Sequence, residues 1–245
     1  MITDKKLLYV YEAFRRKVGS SCNYKAHLAE LPEELRTILT ENSKLMPFHC
    51  DTSVIKEFYI EILKAIQPAY LLDEYTTPTV ELISQRIAKS DEFERQSPYY
   101  GLDKGIMLLG GIGSGKTLLM EGLSKLYHFF EIEISLLPSY MITEEFARKG
   151  VEVYCSVNYK SDQIWTSADN MIIDDFGAET ITKHYGQVTN VVAELMLRRY
   201  DNKVQTYGTS NLDQKSLRKF YGERVWSRMK EMFNFIELKG DDRRG

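Results

Sequence analysis

Residues Gly110, Gly111, Ile112, Gly113, Ser114, Gly115, Lys116 and Thr117 run consecutively and fit the spacing G-x-x-x-x-G-K-[ST]. Glycines at this spacing let the backbone curl so that successive N–H groups point at an anion, and a following helix adds its positive end. Lys116 would reach the outer phosphates of a nucleotide, and the Thr117 hydroxyl would sit on Mg²⁺. Average residue usage produces the bare pattern by chance about once in 100 chains of this length. The setting makes chance rarer still. Gly105–Leu109 is a short apolar run bounded by turn residues, the pattern of a buried parallel strand. Residues 118–130 then carry Leu119, Leu123, Leu126, Tyr127 and Phe130 at helical spacing. Strand, glycine loop and helix together read as a nucleotide-binding loop.

A second cluster lies downstream. Met171-Ile172-Ile173-Asp174-Asp175 reads as an apolar strand ending in two carboxylates, the Walker B form. Asp174 would hold Mg²⁺ through water and Asp175 would orient the attacking water. Two solvated acids at a strand end are the bland alternative, and the upstream loop weighs against it. Residues 203–210 (KVQTYGTS) read as a strand that ends at Asn211. A polar side chain there can bond a γ-phosphate or the attacking water, although Asn before a helix is also an ordinary cap. In GERVWSRM, Arg224 and Arg228 stand four apart on one helical face. They are either salt-bridged surface residues or groups that stabilise transition-state charge on a neighbouring subunit's nucleotide.

These groups need a scaffold, and the rest of the chain supplies one. With 245 residues, 43% apolar and 27% charged, the composition is that of a folded protein of one large domain, or one domain and a smaller one. A net charge of −3 requires any nucleic-acid contact to be a local patch. Cys22, Cys50 and Cys155 are few and scattered, which fits a reducing cytoplasm, and no run is long enough to span a membrane. Periodicity predicts helices over about 4–18, 31–39 and 53–66, then one helix from about 77 to 94. A one-sided strand carrying Ile132, Ile134 and Leu136 follows, and then 139–149 and 151–160 read as short helical or irregular pieces. Further on come a helix over 188–200 with Arg198 and Arg199 off its apolar side, a helix over 214–221 capped by Asp213, and a strand over 233–239. Cys22, His27, His49 and Cys50 lack the paired spacing of a zinc site. The basic run Arg15–Lys17 suits a solvated helix end. Tyr99 or Tyr100, just before the first sheet strand, could stack on a base or pack in the core. The expected division is a helical, partner-docking region at 1–74 and a nucleotide-binding domain at 75–245.

The order of the glycine loop, IIDDFGAE, TSNL, YGERVWSRM and a terminal Gly-x-x-x-Arg resembles the AAA+ ATPases of the DnaC/IstB group, relatives of DnaA. The likeness covers about 100–245. It implies an α/β P-loop NTPase with an αβα parallel sheet and no separate lid domain, preceded by the small helical region. ATP would be held by the loop from Gly110 to Thr117 with Leu118, and Mg²⁺ by Thr117 and, via water, Asp174. Asn211 matches the sensor I position, Arg228 the arginine finger and Arg244 (or Arg243) the sensor II arginine. Asp175 stands where most AAA+ proteins carry Glu, and Asp242 where the terminal motif has Ser. The resemblance also implies single-stranded DNA contact through 139–160, where Arg148, Lys149 and Lys160 interleave with Tyr140, Phe146, Tyr154 and Tyr159. The acids Glu144, Glu145 and Glu152 dilute that charge. The implied function is an ATP-hydrolysing loader of a replicative DNA helicase, a homo-oligomer when ATP-bound. The alternatives are an ATPase helper of a DNA transposase, a nucleotide-gated adaptor that hydrolyses weakly, and a small-molecule kinase. The segment after Asn211 looks too short for a kinase's arginine-bearing lid.

Overall fold

The run Gly105–Leu109 forms strand β1, buried along its whole length. It pairs in parallel with β6 (Thr206–Ser210) on one side and β7 (Phe233–Glu237) on the other. Beyond β6 lie β3 (Met171–Asp174) and β2 (Ser135–Pro138), also parallel, giving a five-stranded sheet of order β2-β3-β6-β1-β7. The computed structural model describes residues 51–130, 132, 134–150, 170–180, 182–184 and 187–240. The expected helices at 4–18 and 31–39, the basic run at 15–17, the Cys22/His27/His49/Cys50 group, the segment 151–160 and Arg243 and Arg244 lie outside the described residues.

A parallel sheet needs cover on both faces, and its strands accordingly read as nearly continuous apolar runs. Met107, Leu109, Met171, Ile173 and Phe233 belong to one core with Ile142 and Phe146 of α5 (Ser139–Lys149), Leu195 and Met196 of α6 (Val191–Asp201), and Leu217, Trp226 and Met229 of α7 (Gln214–Met232). The alternate residues Ile106, Leu108 and Ile172 are just as buried, so the opposite face is covered too. The fold is the α/β parallel sheet expected from the sequence. At the β2 edge it is Leu137 that turns fully inward, while Leu136 is half-buried. The strand therefore buries the alternate set to the one that the pattern at 132–136 suggested.

The chain separates into two compact units, 1–103 with 125–132, and 104–124 with 133–245. In the first, α1 (Thr52–Ile66) buries Ile55, Phe58, Tyr59, Ile62 and Leu63, and Asp51 caps it through the Ser53 N–H. Lys56 of α1 pairs with Glu81 of α2 (Thr76–Ile87) at 2.5 Å. The single helix expected to reach residue 94 is two: Lys89 adopts φ +52°, and Ser90 caps a separate α3 (Asp91–Arg95). A left-handed residue cannot continue a helix, and a serine just after it is a strong start signal. The α4 helix (Lys116–Phe129) begins in the glycine loop, and its Phe129 meets Phe58 edge-on at 4.8 Å within the first unit.

Two further corrections fall in the second unit. Val188 belongs not to a helix but to β5 (Gln187–Thr189), paired antiparallel with β4 (Thr182–His184), and Asn190 then caps α6. Arg199, expected off the apolar side of its helix, is fully buried. Its guanidinium donates to Thr206 Oγ1 at 2.8 Å and to the Gln205 carbonyl at 2.9 Å, which supplies the partners a buried cation requires. The α7 helix starts at its Asp213 cap and its first half ends at Tyr221, both as expected; Gly222 (φ +79°, ψ 166°) interrupts it before it restarts.

The closeness of β1 and β6 makes a test of the sheet. A Cβ built on Gly105 would lie 1.7 Å from the Thr206 carbonyl oxygen, whereas one on Gly111 meets nothing within 4 Å. Gly105→Ala is expected to lower unfolding free energy in urea by about 1–3 kcal/mol, as overpacking does, while Gly111→Ala leaves it near wild type.

Candidate nucleotide-binding site

The chain leaves β1 at Leu109, whose carbonyl accepts the Leu238 N–H at 2.7 Å, and Gly110 N–H donates to the Ser210 carbonyl at 3.2 Å. A Cβ on Gly110 would come within 2.4 Å of the Leu238 oxygen, so only glycine fits this exit. Gly113 and Gly115 take positive φ (76° and 98°), the conformations that curl the loop before α4 begins at Lys116. Lys116 is 4% exposed. Its Nζ donates to the carbonyls of Gly110 (2.9 Å) and Gly111 (2.7 Å) and to Asn211 Oδ1 (2.8 Å). Ser114 is buried, Leu118 half-buried, and Ile112 stands exposed at the loop tip.

Asp174 ends β3 and is buried. The Thr117 hydroxyl donates to its carboxylate, 3.1 Å from Oδ1 and 3.0 Å from Oδ2. From β6, Thr209 Oγ1 donates to Asp174 Oδ1 at 2.6 Å. Asp175 lies just past the strand with φ +58°, a left-handed conformation held from three sides. Its N–H donates to Thr209 Oγ1 (2.9 Å), its carbonyl accepts the Ser139 hydroxyl (2.7 Å), and its Oδ1 accepts Asn211 Nδ2 (3.1 Å). One connected polar network thus runs from Lys116 through Asn211, Asp175, Thr209 and Asp174 to Thr117. Sequence reasoning missed Thr209 and Ser139. The signal for Thr209 was a hydroxyl residue two places before Asn211 in a strand next to the acids.

The turn after the acids is tied to α7. Gly177 N–H donates to Glu179 Oε2 (2.8 Å) and to the Tyr221 hydroxyl (3.0 Å), which itself donates to Glu179 Oε1. Burial, then the Glu179 charge and hydrogen bond, push the Tyr221 phenol well above its usual range, so it stays a neutral donor.

Other expected site residues lie apart from this network. Arg228 contacts Glu231 (Nη1 to Oε1, 3.6 Å) and lies over the Tyr200 ring, 4.6 Å from its centroid. Tyr200 also donates to Glu231 at 2.6 Å. Arg224 is exposed. On α5, Phe146 is 3% exposed and part of the core, which removes it from the set of base-stacking candidates. Arg148 is paired with Glu145, and Tyr140 remains exposed. Tyr100 stacks on Phe93 at 4.8 Å, the core-packing alternative, whereas Tyr99 is exposed.

Hard oxygen donors with a carboxylate and a hydroxyl in contact suit Mg²⁺, which takes few protein ligands and keeps several waters. Thr117 and Asp174 meet that description. Among the described residues no group of three or more His, Cys, Asp or Glu forms another metal site, and no helix is long and apolar enough to cross a membrane.

Neither a protein-family model nor a curated protein matches the sequence. Solved structures do. The crystal structure of DnaI matches at 22% identity and TM-score 0.50 over 75% of this chain and 93% of that one. The DnaC helicase loader matches at 17% identity and TM-score 0.48 over 71% of this chain and 96% of that one. AMPPCP-bound DnaA from Aquifex aeolicus matches at 16% and 0.46, over 73% of this chain and 50% of that one. The DnaI likeness, with the strand order and the loop geometry above, decides the fold. This is a parallel α/β P-loop fold. Within it, the polar network occupies the end of the sheet where β1 opens into the glycine loop.

The Tyr221 joint can be tested by stability alone. Tyr221→Phe removes a hydrogen bond to a buried carboxylate and is expected to cost about 1.5–3 kcal/mol in urea unfolding.

Proposed function

We propose that the chain is a Mg²⁺-dependent ATPase that loads a replicative DNA helicase. The observation that carries the reading is the network joining Lys116, Asn211, Asp175, Thr209, Asp174 and Thr117, which places cationic, amide, carboxylate and hydroxyl groups at one loop. The N–H groups of 110–117 and Leu118 cradle the phosphates, and Lys116 balances their charge. Thr117 and, through water, Asp174 would hold Mg²⁺, which when bound would neutralise charge on the phosphate oxygens. Asp175 accepts a hydrogen bond from the attacking water and Asn211 fixes that carboxylate's direction. Water adds to the γ-phosphorus as the bond to the β-phosphate oxygen breaks, giving ADP and phosphate. The proton that the water gives up ends on the released phosphate, and Asp175 serves to orient the water.

Arg228 is assigned to the site of a neighbouring copy in an ATP-bound homo-oligomer, with Arg224 beside it. The two arginines stand outside their own site's network and one turn apart on α7, which supports that assignment. Arg244 is proposed as a further phosphate contact. Residues 1–74 are the proposed docking region for the helicase and 75–245 the ATPase domain, in the cytoplasm. Single-stranded DNA is proposed to lie along α5 and the segment to 160, with Tyr140 and Arg148 facing it. The DnaI-like fold is in keeping with a helicase as partner, while the motif order is common to helicase loaders and transposition helpers, so the partner of residues 1–74 decides between them.

Lys116→Ala is expected to abolish nucleotide binding in a titration with a fluorescent ATP analogue. Arg228→Ala should bind ATP like wild type and lose about 10³-fold in turnover, the contribution usual for such an arginine. Normal hydrolysis by a monomeric Arg228→Ala protein would exclude action between subunits. The partner is tested with the full chain and ATP as bait in host cytosol. Recovery of a hexameric replicative helicase supports the loader reading, and recovery of a transposase replaces it.

A further inference from the structure

Thr209 is fully buried on β6, the strand lying between β1 and β3. Its single hydroxyl makes two bonds, donating to Asp174 Oδ1 at 2.6 Å and accepting the Asp175 N–H at 2.9 Å. A threonine hydroxyl has one proton and free lone pairs, so these two bonds fix its rotor completely. The ordinary reading is a β-branched residue packed in a strand with an incidentally satisfied hydroxyl. Thr206 on the same strand illustrates that case: its hydroxyl accepts from Arg199 and donates to the Val204 carbonyl, both away from the site. Thr209 differs because both its partners are the acids at the end of β3.

We propose that Thr209 is a positioning residue that sets both acids for ATP hydrolysis, an inference that rests on the ATPase reading above. Its O–H occupies one side of Asp174 Oδ1, which turns the carboxylate toward the Thr117 hydroxyl. Its lone pair holds the Asp175 amide, and with it the left-handed backbone that aims that carboxylate at Asn211. The same backbone accounts for Asp at 175. A short Asp side chain visits the left-handed region more readily than the longer Glu. Partners that orient a metal-binding carboxylate typically change metal affinity or activity about 10–100-fold when removed.

The test compares Thr209→Val, which keeps the shape and loses the hydroxyl, with Thr209→Ser, which keeps the hydroxyl. The probe is N-methylanthraniloyl-ADP, titrated in EDTA and then with Mg²⁺, alongside steady-state ATP hydrolysis by the full chain. In EDTA all three proteins should bind alike. In Thr209→Val the Mg²⁺ concentration that half-saturates the tightening of binding should rise about 10-fold, and kcat should fall at least about 10-fold with KM nearly unchanged. Thr209→Ser should restore both. A folded Thr209→Val with wild-type Mg²⁺ dependence and kcat overturns the proposal, since a structural role alone would move only stability. If Thr209→Val does not fold, Thr209→Cys replaces it. Its weak donor should raise the Mg²⁺ requirement above that of Thr209→Ser, and equal behaviour of Cys and Ser variants overturns the proposal. A wild-type chain that neither binds nor hydrolyses ATP overturns the ATPase reading itself. A wild-type chain that does both, with an unaffected Val variant, overturns only the role of Thr209.

Discussion

The site depends on β6 being wedged between two strands that never touch each other. The glycine loop leaves β1, the acids end β3, and the sheet order puts β6 between them. Thr117 reaches Asp174 directly, and the remaining groups that join loop to acids come from β6 and its exit. Its register aligns Ser210 with Leu109 on one side and Gly208 with Ile173 on the other. Thr209 and Asn211 follow from that alignment, one inside the sheet and one just past it. The closeness required of these strands is visible in the glycines. A Cβ on Gly208 would fall 2.4 Å from the Phe176 ring, and one on Gly105 would strike the β6 backbone. Sheet packing and site geometry are one constraint.

Asp175 shows how that constraint is used. A left-handed non-glycine residue costs about 1–3 kcal/mol and persists only where its surroundings over-determine it. Here a hydroxyl from β6, a hydroxyl from the first residue of α5 and the Asn211 amide each hold a different polar group of one residue. The amide also faces Lys116, so the direction of the carboxylate and the position of the ammonium are set together. Deleting any one of these groups would remove one of the bonds that hold this conformation.

Much of this was legible in the sequence for specific reasons. Glycine spacing reports backbone conformation directly, so the loop could be located before its φ values were known. A short apolar strand followed by two acids has few other uses once such a loop lies upstream. The failures share a different cause. Arg199 and Phe146 have types that suggest solvent and stacking, yet each faces the interior because tertiary packing decides which helix face is buried. The division of α2 from α3 turned on Lys89, whose left-handed φ no lysine advertises. The β4–β5 hairpin is too short for its alternation to outweigh the helical pattern that follows it. Thr209 was quoted only as part of a motif, because a threonine in a strand is first of all a good strand former.

The arrangement of α7 carries the argument from one site toward another. Its first half is fixed to the turn after the acids by Tyr221, through Glu179 and the Gly177 amide. The next residue is Gly222, whose φ and ψ interrupt the helix in a region essentially restricted to glycine. Arg224 and Arg228 follow within the second half, where Tyr200 and Glu231 steady Arg228 at its outer end. The element that carries the arginines is therefore the one bonded to the acid turn, with a break between its halves. Tyr221 thus bonds the turn to the residue just before the break. If Arg228 completes a neighbouring site, this joint is where the state of one nucleotide would bear on the next. The buried Tyr221 hydroxyl, kept neutral by its surroundings, holds that joint as a hydrogen-bond donor throughout the ordinary pH range.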